Sequence, residues 1–349
     1  TLDYLEVVDG GVDSGGAGAS FFSIGIDLDL AALAGLDGAA LGVEAYHVGG
    51  GNPSEGAGDY QSISGLSLTE NRTQLAQIWY EQRLAGDALR VKLGKIDAFA
   101  EFASSATAGA FVNTSVSWSP VHASMPTYPE TAFGALAWWQ ASEAWAFGLG
   151  VFDGAEQIGK TTGSLGPATL FGPPSDAYAI AEVQRSWSLG GTRAGSARVG
   201  CAHHTGDFAR FDGGSDDGAT IAYVVVDQVL MRECPELGDD AQGWSGFLMF
   251  GFADPDVSEV EQHVSLGATR LGWIDGRDAD ACGVGATWVG FSGEAGFGES
   301  SETAFEVFYE WSFAGWGTVK PDVQYVVNPG GDGAVEDALV VGARLSLVL

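Results

Sequence analysis

The chain has 349 residues with 46 acidic and 15 basic side chains, which gives a formal net charge of −31. Nucleic-acid binding needs a basic surface, so this charge argues against that class of function. The hydrophobic fraction of 46% is too high for a disordered acidic chain. A run of ~18 apolar residues is absent from the sequence, which excludes a transmembrane helix, whereas a membrane β-barrel needs only alternating strands of ~10 residues.

Apolar side chains recur at every second position along most of the chain. In SFFSIGIDLDL at 20–30 they alternate with small or acidic residues, and ALVVGARLSLVL at 338–349 repeats the pattern. A period of two predicts β-strands with one apolar face. In chain order, the predicted strands span 2–8, 20–30, 39–48, 73–84, 87–97, 131–139, 144–152, 176–188, 192–204, 219–231, 243–253, 260–272, 281–291, 301–312, 317–328 and 337–349.

The predicted connections between these strands differ in length. Short ones include AGLDG, LAGD, QASE, LGG and FAGWG, and long ones include 48–71, 153–175 and TGDFARFDGGSDDG at 205–218. Short turns at one end and long loops at the other are typical of outer-membrane barrels. We therefore predict an all-β, transmembrane antiparallel β-barrel of about 16 strands, with short periplasmic turns and long extracellular loops. This barrel is one domain over 1–349.

One further strand-like segment, GAFVNTSVSW at 109–118, would break the even strand number. It falls within the stretch 98–130, which is too long for a plain connection. We therefore assign 109–118 to a loop and expect 98–130 to fold back into the barrel as a constriction.

Tryptophans cluster near the predicted short turns. Indole rings are most stable where acyl chains meet water, so membrane barrels carry aromatic girdles at that depth. Eight of the eleven tryptophans lie within a few residues of a short turn: Trp138, Trp139, Trp145, Trp187, Trp244, Trp273, Trp311 and Trp316. We expect the outer wall near the periplasmic rim to carry Trp138, Trp139, Trp145, Trp187, Trp273 and Trp311.

Charged residues occupy the strand face opposite the apolar one. A buried unpaired charge costs several kcal/mol, so such a set favours a water-filled barrel over a dry core. The charged strand positions on this face are Glu44, Glu81, Arg83, Arg90, Lys92, Glu182, Arg198, Glu306, Glu310, Lys320, Asp322 and Arg344.

Segments spread along the chain resemble the carbohydrate-selective porins of the OprB type. Their order and spacing carry the resemblance more than any single piece does. The segments are LRVKLGKIDAFAEF at 89–102, FVNTSVSWSP at 111–120, YPETAFGALAWW at 128–139, RVGCAHHTGDF at 198–208, LGWIDGRDAD at 271–280, ETAFEVFYEW at 302–311 and KPDVQYVVNPGG at 320–331.

The resemblance implies a porin without enzymatic activity in the bacterial outer membrane, letting saccharides and other small hydrophilic solutes diffuse passively. We expect contacts with outer-membrane lipid and lipopolysaccharide and no nucleic-acid partner, and both a monomer and a homotrimer stay open. Because the chain begins in the strand-like TLDYLEVV, we expect a mature form whose signal peptide has been removed.

A sugar path needs hydrogen-bonding groups beside aromatic platforms, because sugars present hydroxyl edges and C–H faces. Pore width, lining groups and the local field then set selectivity. The residues expected to line the pore or bind substrate are Glu44, Tyr46, Trp79, Glu81, Arg83, Arg90, Lys92, Lys95, Asp97, Glu101, Glu182, Arg198, Glu306, Phe308, Glu310, Asp322, Gln324 and Arg344.

Four alternatives to a sugar-selective pore stay open. A general diffusion pore that prefers cations, or a structural surface barrel, would give the −31 charge more weight. A soluble lectin-like sandwich conflicts with the lumen charges and the tryptophan placement. A barrel hydrolase would need His204 beside a serine such as Ser196, and no nucleophile motif supports that reading.

We predict no cofactor, catalytic residue or metal ligand, except for one candidate Ca²⁺ site. The acidic segment DGGSDDG at 212–218 offers oxygen ligands for Ca²⁺ but lacks the spacing of a calcium-binding hand, so a solvated loop is the other interpretation. The cysteines Cys201, Cys234 and Cys282 form no metal-binding pattern, and small packed residues are the simplest interpretation.

Overall fold

The computed structural model describes residues 1–66, 70–155, 160–170, 172, 175–236 and 241–348. Within these residues sixteen antiparallel strands close into one barrel, in which each strand pairs with its sequence neighbours and β1 pairs with β16. The strands are β1 (Leu2–Gly11), β2 (Gly15–Asp29), β3 (Ala39–Gly50), β4 (Arg72–Leu84), β5 (Leu89–Ile96), β6 (Ala132–Gln140), β7 (Trp145–Asp153), β8 (Ala177–Leu189), β9 (Arg193–Ala209), β10 (Ser215–Arg232), β11 (Gly243–Ala253), β12 (Val260–Leu271), β13 (Ala281–Phe291), β14 (Ser301–Phe313), β15 (Gly317–Val327) and β16 (Glu336–Leu347).

The predicted fold class and strand number are confirmed, and most strand bounds agree within two or three residues. Leu349, predicted as the last strand residue, lies outside the described residues. Three connections at one end of the barrel are long: 51–71, 97–131 and 154–176. We call this the long-loop end and the opposite rim the short-turn end.

The long loop predicted at 205–218 is wrong. β9 and β10 continue past the rim and leave only 210–214 as a turn. Acidic and glycine residues there resemble a loop, but Arg210 forms ion pairs with Asp212 and Asp216 at 3.2 and 2.9 Å. Where a strand extends beyond the lipid layer it needs no apolar face. An alternating pattern of apolar residues therefore does not predict that part of the strand.

Helices are short and confined to connections. They are α1 (Leu30–Ala34), α2 (Ser54–Ala57), α3 (Thr114–Ser117), α4 (Thr162–Leu165) and α5 (Pro167–Leu170), with 3₁₀ turns at Ala108–Ala110, Pro120–His122 and Pro329–Gly331. None of the helices in the described residues is long and apolar enough to span a membrane.

The outer face of the barrel is apolar, as the alternation predicts. Phe22, Leu149 and Val199 expose 66, 64 and 54% of their surface, although each lies in the middle of a long strand. Large exposed apolar areas of this extent are unfavourable in water and favourable against lipid.

Four of the six tryptophans expected on the outer wall follow the prediction, and Trp187 is only partly exposed. Trp139, Trp145, Trp273 and Trp311 are each more than 40% exposed on the outside. Trp138 instead points inwards and stacks on Phe102, with ring centroids 5.3 Å apart. Successive side chains of a strand face opposite ways, so only one residue of an adjacent pair can face outwards.

Residues 97–131, which we call the inner loop, cross the barrel interior. The loop bonds to Glu182 on β8, Asp227 on β10, Ser265 on β12 and Glu306 on β14. Strands so far apart around a closed barrel share only its lumen, so the loop lies inside. The segment 109–118 forms no strand: it contains a 3₁₀ turn and α3.

A dry core fills part of the lumen, which the sequence analysis did not predict. Phe102, Phe111 and Val121 of the inner loop pack with Phe247 and Met249 of β11 in one buried apolar cluster. The inner loop therefore supplies the partner that the inward apolar residues of β11 need. The interior is water-accessible only where this core is absent.

Candidate functional site

Four charged side chains meet where the inner loop approaches β4 and β5. Arg90 lies 3.0 Å from Glu81 and 2.5 Å from Glu101, and Lys92 lies 2.6 Å from Glu101. We call Glu81, Arg90, Lys92 and Glu101 the ion-pair cluster. Because three members come from strands and Glu101 from the loop, the cluster narrows the lumen between them.

Glu101 carries its charge because of its two cationic partners. Burial alone would raise the pKa of the Glu101 carboxyl, but hydrogen bonds from Arg90 and Lys92 outweigh that effect and hold its pKa below the ordinary value. The Nζ of Lys92 also lies 4.1 Å from the ring centroid of Trp79, close enough for a cation–π contact. The cluster thus joins fixed charges to an aromatic face.

A polar cavity of about 350 Å³ adjoins the cluster on the side of the short-turn end. Arg83, which is largely exposed, and Trp138 belong to its wall. The main lining residues are Arg83, Asp87, Arg90, Glu101, Trp138, Gln140, Gln184 and Arg198.

Charge is balanced around this cavity despite the strongly acidic chain. Each arginine of the wall has a carboxylate partner, with Glu81, Glu101 or Glu182 within 3.3 Å. Counting the lining residues and those direct partners gives four cations and four anions: Arg83, Arg90, Lys92 and Arg198 against Glu81, Asp87, Glu101 and Glu182.

Glu182 connects the cavity wall to the inner loop. Its Oε1 lies 3.0 Å from Arg198, while its Oε2 accepts hydrogen bonds of 2.8 Å from the Ala103 amide and the Tyr223 hydroxyl. It is 2% exposed. Glu182 therefore holds the loop and orients Arg198 rather than presenting a free carboxylate.

On the opposite side of the lumen, inward polar residues bind the inner loop. Glu306 accepts hydrogen bonds from the backbone amides of Val112 and Asn113 at 2.7 and 2.9 Å. Gln324 accepts one from the Asn113 side chain at 3.1 Å and donates one to the Ile63 carbonyl. We call Glu306 and Gln324 the loop anchors; both are fully buried.

The remaining predicted residues of β14 to β16 pair with one another or with the loop. Phe308 packs against Phe111 of the inner loop at 5.1 Å. Glu310 lies 3.1 Å from Lys320. Asp322 accepts a hydrogen bond from Gln324.

Arg344 likewise forms an ion pair within the protein. It contacts both carboxylate oxygens of Asp3 at 2.7 Å.

Lys95 and Asp97 are not brought to Glu101, although the sequence analysis groups the three. Lys95 is buried and donates hydrogen bonds to the carbonyls of Leu75, at 2.6 Å, and Gly163. Asp97 accepts hydrogen bonds from the Phe99 amide and the Thr127 hydroxyl, which shape the start of the inner loop. Burial raises the pKa of the Asp97 carboxyl.

Glu44 and Tyr46 lie nearer the long-loop end. Glu44 accepts a hydrogen bond of 2.8 Å from Gln77. The hydroxyl of Tyr46 donates to the Pro129 carbonyl at 2.9 Å.

Several residues that shape the interior escaped sequence reasoning. Glu302 is fully buried and accepts hydrogen bonds from the amides of Tyr60, Gln61 and Gly330. It lies four residues before Glu306, hence on the same face of β14, and this spacing could have identified it. No sequence pattern identifies the other buried polar residues of the interior, because their partners are distant in sequence. These residues are Asp3, Asp227, His263 and Ser265.

The hydrolase alternative conflicts with the geometry of its two residues. His204 and Ser196 lie on the same strand eight residues apart, about 26 Å, so they cannot form a catalytic pair. Among the described residues no group of three or more His, Cys, Asp or Glu side chains is arranged to hold a metal ion. Calcium at 212–218 stays a prediction.

The chain matches one protein-family model and resembles solved barrel structures. The family model described as "Carbohydrate-selective porin, OprB family" matches residues 14–349. Porin B of Pseudomonas aeruginosa is 26% identical over 132 residues, which are 32% of this chain and 29% of that protein. The chain thus matches less than a third of the length of this curated relative.

Solved structures establish the fold independently. The structure described as "High pH structure of Pseudomonas putida OprB" superposes with a TM-score of 0.87 at 21% identity, covering 99% of this chain and 93% of that one. The structure described as "Low pH structure of Pseudomonas putida OprB" gives a TM-score of 0.59 at 19% identity, covering 99% and 91%.

Proposed function

The chain belongs to the carbohydrate-selective porin family of the OprB type, a family of outer-membrane channels without enzymatic activity, and we propose that neutral saccharides and other small hydrophilic solutes diffuse through its lumen. The path passes the ion-pair cluster and the adjoining polar cavity. Outer-membrane lipid covers the apolar outer face, and lipopolysaccharide contacts the rim at the long-loop end.

The charge balance at the cluster is the observation that carries this proposal. Four cations face four anions around the polar cavity, in a chain whose net charge is −31. A cation pore would keep uncompensated acidic groups at its narrow point, because the local field sets ion selectivity. A balanced set offers hydrogen-bond donors and acceptors without favouring either sign of ion.

The chemistry of the lining groups fits a weakly held sugar. Arg83 and Arg90 present planar forks of N–H donors that suit neighbouring hydroxyls, and Trp138, stacked on Phe102, contributes aromatic surface to the wall of the same cavity. Each hydrogen bond that replaces one to water contributes only about 1 kcal/mol net. Such weak contacts permit release, as conduction requires.

Liposome swelling tests the proposal. Purified protein in vesicles should admit glucose faster than a disaccharide, and adding salt should change the glucose rate little, because a neutral solute does not respond to screening. Vesicles without protein give the background. Swelling in potassium chloride but not in glucose would contradict the proposal and favour the cation-preferring pore, to which the net charge of −31 points.

A further inference from the structure

A second cavity lies on the long-loop side of the ion-pair cluster. Its volume is about 270 Å³. Gln77, which belongs to its wall, precedes Glu81 of the cluster by four residues on β4, so the cavity lies about 13 Å from the cluster along the strand. We call this cavity the upper pocket. Its wall includes Phe21, Glu44, Tyr46, Gln77 and Tyr128.

Three aromatic rings form the apolar wall of the upper pocket. The ring centroid of Tyr46 lies 5.4 Å from that of Phe21 and 5.5 Å from that of Tyr128, and Phe21 lies 5.8 Å from Tyr128. The hydrogen bond from the Tyr46 hydroxyl to the Pro129 carbonyl holds one ring in place. The wall therefore exists before any solute binds, which lowers the entropic cost of binding.

A polar edge faces these rings. Gln77 donates to Oε2 of Glu44 at 2.8 Å and accepts a hydrogen bond from the Asp97 amide at 3.2 Å, which fixes the carboxylate beside the pocket. Among the described residues no donor reaches Oε1 of Glu44, so this atom is an available acceptor.

The Tyr128 hydroxyl points to an occupant. It is buried and has no hydrogen-bond partner among the described residues. Burial raises the pKa of Tyr128 far above its ordinary value, so the hydroxyl keeps its proton and can donate it. A buried hydroxyl without a partner is costly, and a ligand or water that accepts its hydrogen bond removes that cost.

We propose that the upper pocket is a binding subsite for one pyranose ring, which stacks a C–H face on Phe21 and bonds its hydroxyls to Glu44 and Tyr128. This inference rests on the proposed function and adds a second sugar-binding site along the solute path. A volume near the lower end of the range for small-molecule sites suits one monosaccharide. An open-chain hexitol also presents hydroxyls but has no rigid ring face to stack on Phe21, so it binds more weakly.

Sugar-dependent block of single-channel current tests the subsite, with glucose and the hexitol sorbitol as probes. Phe21→Leu removes the aromatic face, and Phe22→Leu is the matched control, since Phe22 is the neighbouring phenylalanine on the outer face with 66% of its surface exposed. Tyr128→Phe removes only the hydroxyl. Unchanged ion conductance and heat-modifiable electrophoretic mobility verify that each variant is folded.

Phe21→Leu should weaken glucose block about fivefold, a typical loss for one aromatic contact, while sorbitol block and the Phe22→Leu control stay as in the unmodified protein. Tyr128→Phe should give a smaller loss of glucose block, since it removes one hydrogen bond and keeps the aromatic rings. Glucose block that is unchanged in both Phe21→Leu and Tyr128→Phe would overturn the subsite and leave the proposed function standing. If the unmodified protein shows neither glucose block nor glucose-driven swelling, both proposals fall.

Discussion

Glu101 of the inner loop and Glu306 of β14 both lie inside the barrel, yet their surroundings differ. Glu101 lies between Arg90 and Lys92 in the ion-pair cluster, at the edge of a polar cavity. Glu306 is 1% exposed and accepts hydrogen bonds from two backbone amides of the inner loop. Inward orientation therefore does not imply contact with the pore water.

The surroundings of the inner loop differ in the same way. Along β4, β5 and β8, charged residues form ion pairs around a cavity, whereas other residues of the loop pack in a buried apolar core with inward residues of β5 to β14. We therefore propose that solute passes the ion-pair cluster rather than the apolar core. The inner loop occupies much of the lumen and leaves these charged groups beside a polar cavity.

Removing the inner loop should have the largest effect. Ile96 and Ala132 are paired at the start of the loop, so a few glycine and serine residues can replace 98–130 without separating β5 from β6. We expect single-channel conductance to increase several-fold and sugar block to be lost. If conductance and block stay the same in a folded barrel, the loop does not form the constriction.

Replacing a loop anchor should destabilise the inner loop more than replacing a partly exposed glutamate on the same strand. Glu306→Ala leaves the Val112 and Asn113 amides buried without acceptors, at about 1–3 kcal/mol each. Hydrogen exchange within 108–118 should increase markedly and channel current should become noisy. Glu310→Ala is the control, because Glu310 is partly exposed and forms an ion pair with Lys320 of β15; equal effects of both variants would contradict the distinction.

Acid should loosen the inner loop through His122. Burial, and secondarily the charge of the nearby His263, lower the pKa of His122 from 6.5 to about 3. The unfolded segment binds the proton more readily, so the stability of the loop is complete above pH 6.5 and falls as the pH drops towards 3, by about 1.4 kcal/mol per pH unit.

His122→Phe should remove much of this acid sensitivity, since phenylalanine can keep the edge contact with Tyr223. Protease cleavage of the loop between pH 7 and 4 provides the measurement. His203→Phe is the control, because His203 is exposed on the outer face. Identical pH profiles for the His122 variant and the unmodified protein would exclude His122 as the cause.

A smaller effect is expected for Glu101→Gln. The change leaves Arg90 and Lys92 with one carboxylate fewer, so the cluster gains one net positive charge. Partly exposed pairs are worth roughly 1 kcal/mol or less. The reversal potential should shift modestly towards anion selectivity, and a shift towards cations would contradict the charge balance described for the cavity.

Much of the fold could be predicted because alternation is a local property. The pattern that identified β2 and β16 depends only on neighbouring residues, and the predicted strand number is confirmed. The expectation that 98–130 folds back into the barrel depended on 109–118, which would break the even strand number.

The environment of each inward residue could not be predicted, because it depends on contacts between distant segments. The carboxylates of Glu182 and Glu306 look alike in sequence, and only the path of the inner loop shows that both bind its amides. Trp138 illustrates a different failure, since strand alternation should have separated it from Trp139. The short turn at 210–214 could not be predicted, because the ion pairs of Arg210 that accompany it are visible only in the structure.

The reversal potential of single channels under a potassium chloride gradient tests the central claim, that a charge-balanced constriction admits neutral solutes. The balance of four cations and four anions predicts a potential close to zero, together with a current that glucose reduces in a saturable manner. A potential close to the Nernst value for potassium, unchanged by glucose, would mean that the −31 charge of the whole chain controls the pore, and the account would be wrong.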